Sequence, residues 1–398
     1  MRRRSPAITT TVAIQGVCDP RFESVKEAFA QNFADYGEVG AAVAVTVGGR
    51  LVVDLWAGHA DAALSRPWQQ DTIVNVFSTT KGMTAICAHR LADQGLLDID
   101  APVARYWPEF AQAGKEDIPV RYLLSHRAGL PAVRALLPPG SAYDWERMTS
   151  ALAAEEPWWE PGSKHGYHAL TFGYLVGEVV RRISGKSLGT YFRDEVAGPL
   201  GLDFNIGLSE QDDARVAEML PMPLPEPGED NLIAKAFSDP QSMTFKAFAN
   251  PPDLMVPGTV NSRQWRAAEI PAANGHSDAR SLARIYGALA QGGELDGVGV
   301  LSLGTIDRAR VEQSYGDDAV LLGLPSRFGL GFMLDLPEHS IAPHGDMFGH
   351  PGAGGSIGFA DPEAGLGFGY VMNKMIMPPD YFTDPRWRGL VDATYAAL

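Results

Sequence analysis

Phe77-Ser78-Thr79-Thr80-Lys81-Gly82-Met83 places a Ser-x-x-Lys tetrad at the mouth of an apolar-periodic segment. Behind it Met83, Ile86, Cys87 and Leu91 recur at helical spacing, and Gly95 stands where a C-terminal cap belongs. The spacing predicts a helix opened by Ser78. Residues three apart share a helix face, so the Lys81 amine comes within reach of the Ser78 hydroxyl. A serine hydroxyl is a weak nucleophile until a base takes its proton, and the positive end of a helix lies beside this one. Acyl transfer wants that arrangement. Taken alone, the tetrad also reads as a plain N-cap followed by a solvated lysine, so the decision rests on what surrounds it.

Upstream, Phe22, Val25, Phe29 and Phe33 keep a helical period between Arg21 and Tyr36, with Gly37 as a stop. Val39 to Val47, the Gly48-Gly49-Arg50 turn and Leu51 to Trp56 then read as a β-hairpin. From the tetrad to about residue 310 the signals are mostly helical. Leu170 to Ile183 carries one apolar stripe and ends at Gly185; another helix runs from a Ser277 N-cap to Gly292-Gly293. Leu220 to Pro271 is proline-dense and weakly periodic, and reads as a lid over a pocket. Strand chemistry returns in Phe328 to Leu334, in Gly355 to Ala360 and in Leu366 to Met372, and a helix from Asp384 to Ala397 closes the chain. The expected fold is α/β (α+β), with one sheet assembled from both chain ends. It divides into a discontinuous α/β domain of residues 1–115 and 320–398 and a helical domain of residues 116–319, whose lid-like segment lies near 220–271.

The 398 residues, 45% hydrophobic and 20% charged, are ordinary for a globular protein with a large core. A formal charge of -15 argues against nucleic acid and anionic membrane surfaces as partners, and Arg2-Arg3-Arg4 is the one basic cluster. The segment after it is too polar for a signal peptide, and no apolar run approaches spanning length, so a cytoplasmic location is expected. Cys18 and Cys87 do not make a disulfide framework.

A second serine competes for the nucleophile's role. Gly354-Gly355-Ser356-Ile357-Gly358 fits Gly-x-Ser-x-Gly, but that elbow needs an acidic residue and then a histidine after the serine, and the last histidine is His350. Ser356 also sits in a predicted strand. His126, in Leu124-Ser125-His126-Arg127-Ala128-Gly129-Leu130, has the residue type of a triad base but nothing local singles it out from a structural histidine. His165 and His168 stand three apart without a carboxylate or thiolate at ligand spacing, so no metal and no cofactor is expected. Tyr167 between them admits two readings: a phenol near an ammonium that serves as a general base, or a buried tyrosine with an ordinary partner.

Ser78-Thr79-Thr80-Lys81, Tyr167-His168-Ala169 and His350-Pro351-Gly352-Ala353-Gly354-Gly355, in that order, resemble the serine β-lactamase and penicillin-binding-protein superfamily, above all its family VIII carboxylesterase branch near the class C β-lactamases. Gln94 to Val103, Leu123 to Pro131 and Pro161-Gly162-Ser163 add to the likeness, which spans residues 20 to 398. The resemblance implies an α/β domain built from both termini beside a helical domain, in agreement with the element order. It implies Ser78 as the acylated nucleophile, Lys81 as its activating partner and Tyr167 as the base that relays the proton to the leaving alkoxide. It also implies an oxyanion hole made by the Ser78 and Ala353 amides, with His350, Gly352 and His168 along the substrate pocket. Two positions depart from the lactamase pattern: His350 replaces the lysine of Lys-Thr-Gly, and Ala169 replaces the asparagine of Tyr-x-Asn. Both point to neutral esters. The expected activity is hydrolysis of small, short-chain carboxylic esters, and a β-lactamase, a D-Ala-D-Ala peptidase and an acyltransferase would use the same residues. A non-catalytic penicillin-binding-like sensor is the reading from another class. Phe237, Phe245, Phe248, Met255 and Trp265 supply apolar surface for an acyl group or for ordinary core.

Overall fold

The computed structural model describes residues 12–222, 232–376 and 383–398. Arg2-Arg3-Arg4 and part of the proline-dense segment lie outside the described residues. Nine strands make one antiparallel sheet: β1 (Gln15–Cys18), β2 (Gly40–Val47), β3 (Arg50–Gly58), β4 (Ser314–Asp317), β5 (Pro325–Phe328), β6 (Met333–Leu334), β7 (Phe348–Pro351), β8 (Ile357–Asp361) and β9 (Leu366–Met372). Their spatial order is β1-β3-β2-β9-β8-β7-β6-β5-β4, so β2 and β9 join the two chain ends at the centre of the sheet. This is a β-lactamase-like fold, with helices packed on the sheet and a helical region between its two halves.

Five helices matter for the site: α1 (Glu23–Asp35), α2 (Thr80–Asp93), α3 (Thr171–Ser184), α4 (Ala279–Ala290) and α5 (Pro385–Ala396). Strand alternation explains how they meet the sheet. In Leu366-Gly367-Phe368-Gly369-Tyr370 the glycines face α4, where a Cβ at Gly367 would lie 2.2 Å from the Gly287 nitrogen and one at Gly369 2.3 Å from the Ala279 carbonyl. No side chain fits between helix and sheet there, and Thr46 Oγ1 donates to the Ala283 carbonyl at 3.1 Å across the same contact. Phe368 stacks on Phe359 on the opposite face, centroids 5.2 Å apart. α1 and α5 pack against each other, and α2 packs on α3.

Three local expectations change. The helix behind the tetrad begins at Thr80, and Ser78 stands in the turn before it. α4 is capped by Asp278, whose Oδ1 accepts from the Ser281 amide at 2.7 Å, rather than by Ser277. Phe328 to Leu334 is not one strand: Gly331 adopts φ +89°, Gly329 N–H donates to the Phe332 carbonyl at 2.9 Å, and the chain reverses so that β5 and β6 pair through Phe328 and Met333.

Among the described residues the stretch 220–271 holds short helices, Met243–Ala249 and Arg263–Ala267 among them. Trp265 is core, its indole donating to Asn75 Oδ1 at 3.0 Å; Phe237 and Phe245 pack on each other; Phe248 reaches Tyr167; Met255 is exposed. Among the described residues no helix is long and apolar enough to cross a membrane.

Candidate active site

Ser78 is held by a tight turn. The amides of Thr79, Thr80 and Lys81 donate to the carbonyls three residues back, at 3.2, 3.0 and 2.9 Å, and Phe77 takes φ +44°, a left-handed conformation that a bulky residue adopts only where its surroundings impose it. The Thr80 hydroxyl fixes that turn from inside, donating to the Phe77 carbonyl at 2.5 Å and accepting from the Gly275 amide at 2.9 Å. One turn later Lys81 is fully buried. Its Nζ lies 3.1 Å from Ser78 Oγ and donates to the carbonyls of Ala169 at 2.8 Å and Ala272 at 2.9 Å. Burial, with no carboxylate set against the amine among the described residues, holds Lys81 well below the ordinary lysine value. A neutral amine has two hydrogens and one lone pair. In that form the two carbonyls take both hydrogens and the lone pair is left to the Ser78 hydroxyl, whereas the ammonium form donates to all three oxygens.

The loop before α3 brings in Tyr167. Its ring centroid is 4.7 Å from Lys81 Nζ, and the ring lies parallel to Phe328 at 6.3 Å and beside His350 at 6.0 Å. Asp318 Oδ1 accepts from the Tyr167, Val320 and Leu321 amides at 3.0, 2.8 and 2.9 Å, so the tyrosine backbone is tied to the segment just after β4. His126 braces the same loop: its Nδ1 accepts from the His168 amide at 3.0 Å, and its carbonyl from the Gly166 amide at 3.1 Å. His168 has both ring nitrogens engaged with backbone, Nδ1 donating to the Gly166 carbonyl at 2.7 Å and Nε2 accepting from the Leu130 amide at 3.1 Å. His165 turns instead toward Ser326.

β7 carries His350 into this cluster. Its Nδ1 donates to the Pro351 carbonyl at 2.7 Å, and its buried Nε2 has no hydrogen-bond partner among the described residues. The following turn meets the nucleophile directly: a Cβ on Gly352 would lie 2.2 Å from the Val76 carbonyl oxygen and 3.0 Å from Thr79 Oγ1. Ser356 fastens the two together, its hydroxyl donating to the Val76 carbonyl at 2.8 Å and lying 3.2 Å from Thr79 Oγ1. The structure thus brings Ser78, Lys81, Tyr167, His350, Gly352 and Ala353 into one region and gives the serine of the Gly-x-Ser-x-Gly match a tethering bond. The carbonyls of Ala169 and Ala272 were not foreseeable, because a backbone oxygen leaves no mark on residue type.

Burial depresses six histidines, His126 and His165 among them. His89 and His168 are lowered to about 4, His276 and His350 to about 3. The unfolded chain protonates each near 6.5, so the stability their neutral forms supply is complete above that pH. It is lost as the pH falls from 6.5 toward 4, by about 1.4 kcal/mol per pH unit for each histidine. Asp278, raised to about 6 by burial, acts in the opposite sense, as do Glu38 and Asp335, which burial also raises. The melting temperature is expected to fall more steeply per pH unit between pH 6 and 4.5, where the histidines add to the slope set by the depressed Lys81, than between pH 8 and 7; a profile no steeper below pH 6 would contradict these environments.

The family model described as Beta-lactamase matches residues 25–393. The chain is 40% identical over 370 residues to the esterase/beta-lactamase LipL of Mycobacterium tuberculosis, covering 91% of this chain and 83% of that protein. The crystal structure of a family VIII carboxylesterase superposes with a TM-score of 0.88 at 45% identity, over 97% of this chain and all of that one. A penicillin-binding protein homologue from Caulobacter crescentus superposes at 0.87 with 42% identity, again over 97% of this chain and all of that one. With a serine and a buried lysine in hydrogen-bond contact at the head of α2, and with likeness along nearly its whole length, this chain belongs to the Beta-lactamase family and is one of its serine hydrolases.

Proposed function

We propose that the protein hydrolyses short-chain carboxylic esters through an acyl-enzyme on Ser78. The observation that carries this reading is the buried Lys81 amine, unpaired with any carboxylate among the described residues, held by the carbonyls of Ala169 and Ala272 and 3.1 Å from Ser78 Oγ. Ser78 Oγ attacks the ester carbonyl as its proton passes to Lys81. The carbonyl oxygen takes up the electron pair and is held by the amides of Ser78 and Ala353, whose two turns touch at Val76 and Gly352. Collapse of this intermediate expels the alkoxide, and Tyr167, whose ring lies against Lys81, passes it the proton. Water then repeats the sequence on the acyl-enzyme and frees the acid and Ser78.

The names of the relatives support the ester as substrate: an esterase/beta-lactamase and a family VIII carboxylesterase. Two residues of this chain favour a neutral ester over a β-lactam. His350 is neutral and offers a lone pair where a lactamase offers a lysine ammonium, so a substrate carboxylate loses its counter-charge. Ala169 has no side-chain donor for an acylamino group. We read His168 as a support of the Tyr167 loop, since both its ring nitrogens are occupied, and His350 and Gly352 as the residues of that set that line the reacting carbonyl's side of the site.

The test compares steady-state turnover of p-nitrophenyl butyrate and nitrocefin by the same preparation. Many turnovers of the butyrate at a kcat/KM at least about 100-fold above that for nitrocefin are expected, a margin of about 2.7 kcal/mol in transition-state binding. Release of one equivalent followed by arrest would instead favour a sensor, and a preference for nitrocefin a β-lactamase.

A further inference from the structure

α5 returns a buried arginine to the loop behind the nucleophile. Arg386 is 1% exposed and has five N–H donors, and each one has an acceptor. Nε donates to Asp384 Oδ1 at 3.0 Å. Nη1 donates to Glu38 Oε1 at 3.1 Å and to the Lys374 carbonyl at 2.8 Å. Nη2 donates to Asp384 Oδ2 at 2.7 Å and to the carbonyl of Gly354. Glu38, just past α1, also accepts from the Tyr370 hydroxyl of β9. Three regions of the chain therefore converge on one guanidinium.

Such a group of charges is a costly way to fill a corner of the core. Buried ions give up their hydration, and apolar residues of like volume often pack such a place as well or better. What the arginine supplies that they cannot is a charged bond to the Gly354 carbonyl, one residue beyond Ala353 in the same turn. The contact is close: a Cβ on Gly355, which has φ +128°, would lie 2.0 Å from Arg386 Nη2 and 2.5 Å from Asp384 Oδ2. The Ile376 amide donates to the same Gly354 carbonyl at 3.2 Å. On its other side the loop rests on Val76 and Ser356. The turn that carries the Ala353 amide is thus gripped between the nucleophile turn in front and Arg386 behind.

We propose that Arg386, held in place by Asp384 and Glu38, is a positioning residue that sets the Ala353 amide at the distance an oxyanion requires. This rests on the reading of Ala353 as an oxyanion donor. Such donors work only when already placed where the charge develops, and an error of about 1 Å can cost about 100-fold in rate. Lysine cannot replace the arginine, because a point charge with three donors cannot bridge two carboxylates and two carbonyls in one plane.

The full chain carrying Arg386→Lys, checked for native circular dichroism at the assay temperature, is expected to lose about 10- to 100-fold in kcat for p-nitrophenyl butyrate. KM should stay within about two-fold, because a misplaced oxyanion donor affects the transition state and not ground-state binding. Inhibition by an alkyl boronic acid, which forms a tetrahedral adduct on the serine, should weaken by the same factor as kcat/KM. Wild-type kcat in a folded Arg386→Lys protein, a loss confined to KM, or unchanged boronic-acid affinity would each overturn the proposal. Should Arg386→Lys fail to fold, Glu38→Gln keeps the shape and removes one counter-charge; the same two readouts then apply with a smaller loss expected, and unchanged kcat and boronic-acid affinity would be decisive against it. Ser78→Ala separates this proposal from the reading beneath it. Turnover surviving in Ser78→Ala defeats the acyl-enzyme itself, whereas an inactive Ser78→Ala beside a fully active Arg386→Lys defeats the positioning role alone.

Discussion

Ser78→Ala is expected to lower kcat/KM for p-nitrophenyl butyrate by about 10⁴-fold or more, the scale seen when the nucleophile of a covalent mechanism is removed. Ser356 spends its hydroxyl on the Val76 carbonyl and does not stand in for it. The substitution removes one buried oxygen from a turn whose three backbone bonds remain, so the melting temperature should hardly change. Ser356→Ala, by contrast, loses a tether and is expected to remain an enzyme that can be acylated. The reverse result, an active Ser78→Ala and an inactive Ser356→Ala, would move the chemistry to the Gly-x-Ser-x-Gly serine.

Tyr167→Phe is the second large effect. Loss of a general acid-base group costs about 10²- to 10⁴-fold, and the phenylalanine ring keeps the packing against Phe328 and the Lys81 contact. The size of the loss should depend on the leaving group. An ethyl ester expels a strongly basic alkoxide that must be protonated as it departs, while p-nitrophenolate leaves without help. Ethyl butyrate should therefore suffer more than p-nitrophenyl butyrate. Equal losses on both substrates would remove Tyr167 from the proton relay, and a variant near wild type on ethyl butyrate would remove it from catalysis.

What could be read from residues alone follows from the range over which each signal acts. Ser78 and Lys81 are three apart, so a local rule brings them together. The stripe from Phe172 to Ile183 and the alternation of Leu366 to Met372 are long enough to set a period, and both elements form where that period runs. β7 is four residues, Phe-Gly-His-Pro, too short to alternate, and it carries His350 without announcing a strand. The reversal at Gly331 was hidden for a related reason: Phe328 to Leu334 is apolar throughout, and one glycine in a left-handed conformation decides between a strand and a turn. The spacing puts Ser78 at the opening of the helix, whereas α2 begins two residues later, at Thr80, beyond the left-handed Phe77.

The parts of the site that sequence does not reveal are contacts between distant segments. Ala169 and Ala272 stand 88 and 191 positions from Lys81 and act through their carbonyls, for which alanine is as good as any residue. Arg386 is 32 positions from Gly354 and reads in sequence as one more cation in a closing helix. His168 sits beside Tyr167 in the chain, which suggested the pocket, yet its two ring nitrogens are spent on Gly166 and Leu130. Neighbours in sequence need not face the same way, and here only the tyrosine ring is turned to the lysine.

The claim on which the rest depends is that the acyl group passes through Ser78. It is tested most directly by treating the protein with a p-nitrophenyl alkylphosphonate, digesting it, and locating the adduct by mass spectrometry. One phosphonyl group per chain, on the peptide carrying Phe77-Ser78-Thr79-Thr80-Lys81 and absent from Ser78→Ala, is the expected result; an adduct on the peptide carrying Ser356, or on any residue other than Ser78, would contradict it.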